Sequence, residues 1–286
     1  MGMSKPFLIA NRNCGLGDIL GNAGLCWYLA KKSNSNLIID WQKTVYNNYK
    51  ASVNLFSTIF DNKNIDEVQI FEPCDFDNDY NGQIKNKFSN QYSKMMLKEY
   101  KFNELSQDFI AHNFFKKLNL NQSITNIIEK FYKKKLKGRE TVSVHFRYGD
   151  HDKFLFRGNR SKFASLGFSE GSSKENNILN CFKLYKKKID ELLLFKKDLL
   201  VMIFTDCEYF SKLLSEEYES IDTINSYPND QALHLTKENN FLDKINEAAT
   251  CMFLMKDYSD FLICNQSNFN YWPRLFIPKF NQTVLF

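Results

Sequence analysis

The sequence predicts an α/β protein of two Rossmann-like domains, each with a parallel sheet. Short apolar runs alternate with stretches of helical spacing in both halves of the chain, the signature of strand–helix–strand crossovers. Polar clusters follow directly on several of those runs, where the carboxyl ends of parallel strands would lie. The length, 286 residues, suits two domains of roughly 140 each.

The first strand is Phe7-Leu8-Ile9-Ala10, and Asn11 to Gly17 supplies turn formers. From Asp18, read as an N-cap, the pattern turns helical, with Ile19, Leu20, Ala23, Trp27 and Ala30 on one broad face. Leu37-Ile38-Ile39 is a second strand ending at Asp40-Trp41, which completes a right-handed parallel crossover. Residues 52–60 and 65–71 predict a helix and a strand. The stretch 74–100 is polar and weakly periodic, and 103–118 and 122–136 have helical spacing. A second series starts with the buried strand Thr141–Phe146. A polar loop over 158–173 follows, then a helix over 174–193 and the strongly apolar strand Leu199–Phe204. A helix to about 216, a short strand at Ile221–Ile224, a helix over 240–256 and a last clear strand, Phe261–Cys264, complete it. The expected domains are 1–138, which carries the Gly loop, and 139–286, which opens with the second series.

Composition narrows the function. With 43% hydrophobic and 25% charged residues and a mean hydropathy of −0.43, disordered, collagen-like and membrane-spanning classes fit poorly. The net charge of +5 is too small and too spread for nucleic-acid binding, which needs a dense basic stripe. Lys133-Lys134-Lys135 and Lys186-Lys187-Lys188 are read as solvated helix faces, with peripheral contact to an anionic membrane as the alternative. Seven scattered cysteines without a C-x-x-C pair read as reduced thiols rather than a disulfide frame or a zinc site. With no signal-peptide pattern and no run of about 18 apolar residues, a cytoplasmic location is expected. The 38 basic residues divide into 32 Lys and only 6 Arg, and four Arg (Arg139, Arg147, Arg157, Arg160) crowd into 139–160. A planar bidentate donor there does what Lys does not.

Four polar clusters stand at strand ends: Asn13 to Asp18, His145 to Asp150, Thr205-Asp206 and Asn265 to Phe269. Cys14-Gly15-Leu16-Gly17-Asp18 is either a structural turn or an anion-binding helix N-terminus, with Gly21 and Gly24 allowing close packing of the helix on the sheet. It lacks the Lys-Ser/Thr of a nucleotide hydrolase loop. In His145-x-Arg147-x-Gly149-Asp150, Arg147 is placed to grip a diphosphate by two parallel hydrogen bonds; a loop-closing pair with Asp150 is the structural reading. His145 is either a hydrogen-bonded core histidine or a catalytic residue. Asp150 and Asp152 are candidate bases or loop caps, and His151 an exposed residue or an acceptor contact. Arg157 and Arg160 are weaker candidates on the loop that follows, and Arg139, ahead of the strand, is structural.

These blocks resemble the signature of the fucosyltransferase superfamily, which includes α1,2-, α1,6- and protein O-fucosyltransferases. The resemblance is carried by H-x-R-x-G-D at 145–150, by Thr205-Asp206 and by Asp260 to Phe269. The Gly-Leu-Gly-Asp loop with Leu37–Trp41 looks most like the bacterial nodulation α1,6-fucosyltransferases. The resemblance implies a GT-B arrangement of two facing Rossmann-like domains and inverting, metal-independent transfer of fucose from GDP-fucose to a glycan or glycolipid hydroxyl. It makes 1–138 the acceptor side and 139–286 the nucleotide-sugar-binding side, with Arg147 on the donor's β-phosphate and Ser267 and Phe269 by the nucleotide. Gly15, Gly17, Asp18, His145, Asp206 and Asn268 are counted with the donor site. Asp150, then Asp152, then Asp18 are the choices for catalytic base, and Asp206 anchors a loop or touches the nucleotide. No cofactor or metal is expected, since the resemblance implies metal-independent transfer in which cationic or amide donors stabilise the leaving diphosphate. One departure stands out: where members of the family often carry an acid that reads guanine, this chain has Ala249-Thr250-Cys251-Met252. The same fold with another nucleotide sugar, and a non-catalytic nucleotide- or glycan-binding module, are therefore the rival readings.

Overall fold

The computed structural model describes residues 5–47, 53–76, 104–148, 173–223 and 241–285. These fall into two units. The first runs to Thr125 and takes in the start of a later helix up to Ala249; the second begins at Asn126 and resumes at Thr250. The expected cut at 138 marks a local break instead, because Lys137 and Gly138 adopt positive φ (50° and 75°) after the preceding helix ends.

In the first unit, β1 (Phe7–Ala10) and β2 (Asn36–Ile39) pair in parallel around α1 (Leu16–Lys32), as the crossover pattern predicts. The helix begins earlier than Asp18. Gly15 is the N-cap, and the Asp18 and Ile19 N–H groups donate to its carbonyl at 3.0 and 3.1 Å. Asp18 thus sits in the first turn, where a carboxylate also suits the helix dipole. The helix stops at Ser33, whose hydroxyl donates back to Leu29 O at 2.8 Å, and Asn34 turns the chain with φ 51°.

A short helix α2 (Leu55–Ile59) buries Leu55, Phe56 and Ile59. The strand expected over 65–71 is a hairpin instead: β3 (Asn64–Ile65) pairs antiparallel with β4 (Val68–Phe71) across an Asp66-Glu67 turn in which Asp66 holds φ 55°. Since β4 also pairs parallel with β2, the sheet order is β1-β2-β4-β3. Helix α3 (Glu104–Lys116) packs against α1, with Phe114 meeting Gly24. Gly24 therefore serves helix-to-helix rather than helix-to-sheet approach. Helix α4 (Gln122–Phe131) gives way to a π-helical turn at Tyr132–Leu136.

The second unit is a five-stranded, wholly parallel sheet in the order β7-β6-β5-β8-β9. Its centre is β5 (Thr141–Phe146) and β6 (Leu200–Thr205), both buried along their whole length, as continuous apolar runs in a two-sided parallel sheet require. Helix α5 (Lys174–Leu193), capped by Ser173, and α6 (Glu208–Glu217) follow β5 and β6. Phe146 stacks on Phe210 of α6 at 4.1 Å and meets Tyr185 of α5 edge-on. Each such buried ring contributes about 2–3 kcal/mol of apolar burial.

Strand β7 (Ser220–Asp222), the part of helix α7 (Phe241–Tyr258) from Thr250 onward, β8 (Phe261–Cys264), α8 (Asn268–Arg274) and β9 (Gln282–Val284) complete the unit. The last two elements fall after Cys264, where local pattern assigned nothing. Arg139 is structural, as expected: its guanidinium forms a two-pronged pair with Glu219, ahead of the amino ends of β5 and β7. Among the described residues no helix is long and apolar enough to cross a membrane, and all seven cysteines are free. Burial pushes the Cys26 thiol up to about 12 and the Cys264 thiol up to about 11, so both stay protonated at neutral pH.

Candidate active site

The sheet order of the second unit fixes where a ligand belongs. From β5 the chain winds outward through β6 and β7, then returns to the other side of β5 as β8 and β9. The direction of winding reverses between β5 and β8, and the crevice at the carboxyl ends of such a strand pair is the usual binding position in open α/β sheets. His145, Arg147, Ser267, Asn268 and Phe269 flank this point, and Asp206 stands at the end of the neighbouring β6.

His145 is buried, 6% exposed, near the end of β5. Its carbonyl accepts from Tyr185 Oη at 2.9 Å and Asn265 N at 3.3 Å. Nδ1 lies 3.0 Å from Asn270 Nδ2, an amide group that also donates to Asn265 O at 2.6 Å. With the Asn270 amide donating, Nδ1 is the acceptor and the neutral ring carries its proton on Nε2. The ring stacks on Phe269 at 5.7 Å and 18°. His145 thus has the hydrogen-bonded, buried character of a core histidine while presenting an aromatic face to one of the nucleotide-site candidates.

Arg147 is half-buried just past the last residue of β5. Its N–H donates to Asn265 Oδ1 at 3.1 Å and its carbonyl accepts from Asn265 Nδ2 at 2.9 Å. The next residue is held from the opposite side, where Tyr148 N–H donates to Asp206 Oδ1 at 2.6 Å. Thr205 braces the same corner, donating to Phe146 O at 2.6 Å and accepting from Cys207 N at 3.1 Å. Ser267 caps α8, its hydroxyl accepting from Asn270 N at 3.2 Å, and Asn268 opens that helix exposed to solvent. Asp150 and Asp152, the candidate bases, lie outside the described residues, as do Gly149, His151, Arg157 and Arg160.

Gly15, Gly17 and Asp18 form a separate group in the first unit. Leu16 N–H donates to Tyr46 Oη at 3.0 Å, and Asp18 N–H is turned onto Gly15 O, so the helix start spends these two amides internally. Asp18 pairs with Arg12 at 3.2 Å. The Arg12 guanidinium is raised above its ordinary value, first by the Cys14 side chain and then by Asp18. Among the described residues no group of three His, Cys, Asp or Glu side chains is placed to hold a metal ion.

Asn265, Asn270, Tyr185 and Arg12 were not singled out by sequence. Asn265 stood inside a block that drew notice, but its contact is with a residue 118 positions away, which no local spacing encodes.

Comparison with known proteins bears on the fold and on the family relation. The profile of the family described as nodulation protein Z (NodZ) matches residues 4–85. Nodulation protein Z of Azorhizobium caulinodans is 35% identical over 57 residues, 20% of this chain and 17% of that relative. Among solved structures, NodZ α1,6-fucosyltransferase soaked with GDP-fucose superposes with a TM-score of 0.61 at 16% identity, covering 96% of this chain and 94% of that one. NodZ from Bradyrhizobium gives 0.58 at 15% over the same shares. POFUT1 in complex with GDP-fucose gives 0.57 at 11%, covering 98% and 97%. The resemblance read from the motifs therefore holds. Sequence relates the N-terminal segment to NodZ, and the fold over nearly the whole chain is the GT-B-like α/β fold of these fucosyltransferases. The sequence match covers the Gly loop and leaves out the H-x-R-x-G-D block.

Proposed function

We propose that the protein is a glycosyltransferase that moves fucose from GDP-fucose to a hydroxyl of a glycan or glycolipid, with inversion and without a metal ion. The single observation that carries this reading is Arg147, pinned at the switch point between β5 and β8 of a sheet whose fold is shared with structures holding GDP-fucose. In the reaction the acceptor oxygen bonds to C1 of fucose as the bond from C1 to the β-phosphate oxygen breaks. The electron pair leaves with GDP, and the acceptor proton passes to a base. Arg147 binds the departing diphosphate with charge-assisted hydrogen bonds and stabilises the charge that grows on it. Ser267 and Phe269 contact the nucleotide, and His145 supports Phe269 from behind. Asp150 is the first choice for the base and Asp152 the second; both follow Arg147 closely in sequence. The 1–138 region is assigned the acceptor, and the cytoplasm is the proposed location.

A second donor has a specific observation in its favour. The stretch that carries the guanine-reading acid in relatives is here Ala249-Thr250-Cys251-Met252, buried in α7 and without a carboxylate. Calorimetric titration with GDP, UDP and ADP separates the donors. The proposal expects GDP to bind most tightly, and a preference for UDP or ADP overturns the fucose assignment. Release of GDP from GDP-fucose, with and without acceptor, separates an enzyme from a binding module. Arg147→Ala is expected to weaken GDP binding by about 1.5–3 kcal/mol, the worth of a hydrogen bond to a charged group; an unchanged affinity refutes the phosphate contact.

A further inference from the structure

We infer that Asn265 is a positioning residue for the diphosphate, fixing the main chain of Arg147 so that the guanidinium works from a preset origin. This rests on the reading of the second unit as the nucleotide site. The ladder between β5 and β8 ends with His145 opposite Cys264, followed by one more bond, Asn265 N to His145 O at 3.3 Å. Beyond it the chain turns away into α8, and the main chain of β8 no longer accompanies Arg147. The Asn265 side chain takes its place, accepting from Arg147 N–H and donating to Arg147 O, the two bonds that a continuing parallel strand would have supplied from two separate residues. Only a carboxamide sets a donor and an acceptor on one planar carbon in this way; a carboxylate lacks the donor and a hydroxyl offers a single atom.

Asn265 is itself immobilised. It is fully buried, and its carbonyl accepts from Asn270, which also reaches His145. Asp206 holds Tyr148 from the β6 side. The pair 147–148 is thereby fastened from both neighbouring strands, and a guanidinium on a fixed stem loses little freedom when it meets a diphosphate.

The test titrates GDP and GMP into the full chain as wild type, Arg147→Ala, Asn265→Ala, Asn265→Asp and Arg147→Ala with Asn265→Ala, with a thermal melt of each. Arg147 is assigned to the β-phosphate, which GMP lacks, so the ratio of the two affinities reports its placement. The wild type is expected to favour GDP by about tenfold or more. Each single variant is expected to bring that ratio close to one, and the double variant to add nothing further. A lowered melting temperature with an unchanged ratio in the Asn265 variants, alongside a collapsed ratio in Arg147→Ala, overturns the positioning role alone. If Asn265→Ala does not fold, Asn265→Asp keeps the shape and removes the donor, and the same ratio decides. A GDP preference that survives Arg147→Ala overturns the assignment of Arg147 to the phosphate, and the positioning role falls with it, whereas no binding of GDP or GMP by the wild type overturns the nucleotide reading itself.

Discussion

Replacing Gly24 by alanine sets two sizeable effects against each other, and the structure says which wins. Gly24 lies in the middle of α1, where alanine gains about 1 kcal/mol of helix propensity over glycine. A methyl group there would stand 3.1 Å from Phe114 Cδ1 and 3.3 Å from Cγ. Phe114 has no room to retreat: it is fully buried and packs on Trp27 with ring centroids 5.8 Å apart, and Trp27 is tied to Ile65 O through its indole N–H at 3.2 Å. Overpacking at such a contact costs about 1–3 kcal/mol. The net expectation for Gly24→Ala is a loss of about 0–2 kcal/mol. Gly21 supplies the control, since it sits on the exposed face of the same helix, and Gly21→Ala is expected to gain about 1 kcal/mol. Urea unfolding of both variants and the wild type measures the difference from midpoints at constant slope. Combining Gly24→Ala with Phe114→Leu, which opens space at the contact, is expected to cost less than the sum of the singles by about 0.5 kcal/mol or more. If Gly24→Ala stabilises as much as Gly21→Ala, the close approach of α1 and α3 does not restrain this position and the reasoning fails.

Three further predictions concern other parts of the molecule. Asp66 is held below its usual carboxylate range by Lys117 first and Lys31 second, so its pairing stabilises the fold above the unfolded carboxylate value near pH 4 and fades as pH falls through the lower folded value. Asp66→Asn keeps the positive-φ turn and is expected to remove about 0.2–1 kcal/mol at neutral pH. The difference from wild type should vanish in acid denaturation profiles at low pH, and a gap that persists there contradicts the assignment. Tyr185→Phe deletes the hydroxyl that donates to His145 O inside the core and is expected to cost about 1–2 kcal/mol in urea unfolding; a neutral substitution would mean that this carbonyl is satisfied by Asn265 alone. Asn54 binds Trp41 N–H, Ile39 O and the Glu72 carboxylate, all within 2.7–2.8 Å. Asn54→Ala strands three buried groups and is expected to cost about 3–5 kcal/mol, read as a lowered melting temperature, and a shift of under about 3 °C would show that the groups find other partners.

The parts of this molecule that a sequence betrays are those where one physical demand acts over neighbouring residues. The runs at Thr141–Phe146 and Leu200–Thr205 are apolar throughout because both faces of a parallel strand are covered, and the α5 limits follow from a Ser cap and sustained helical spacing. Edge elements obey weaker demands. β9 is half-exposed Gln282-Thr283-Val284, and β3 contributes two residues, so neither leaves a pattern. Asp18 reads as a cap although Gly15 is the cap, for a related reason: an acid is favoured both at the cap and inside the first turn, and only the backbone distinguishes them. The placing of Arg147 and Asp206 at strand ends is legible because each directly follows a continuous apolar run. Asn265 and Asn270 are not, because what makes them matter is the register of β5 against β8.

That register has a consequence for how the protein comes into being. Arg147 precedes the residue that secures it by 118 positions, and ribosomes add about 5–20 residues per second. A nascent chain therefore holds β5 for about 6–24 s before Asn265 has been made. In that interval β6 can dock on one edge of β5 while the other edge stands open, a strand awaiting a partner and exposed to pairing with the wrong one. The Arg147–Asn265 contact is then a late feature of the second unit, one of the contacts of long sequence separation that form slowly. Substitutions that delay β8 are expected to reduce the yield of binding-competent protein more than they reduce the stability of the molecules that finish folding.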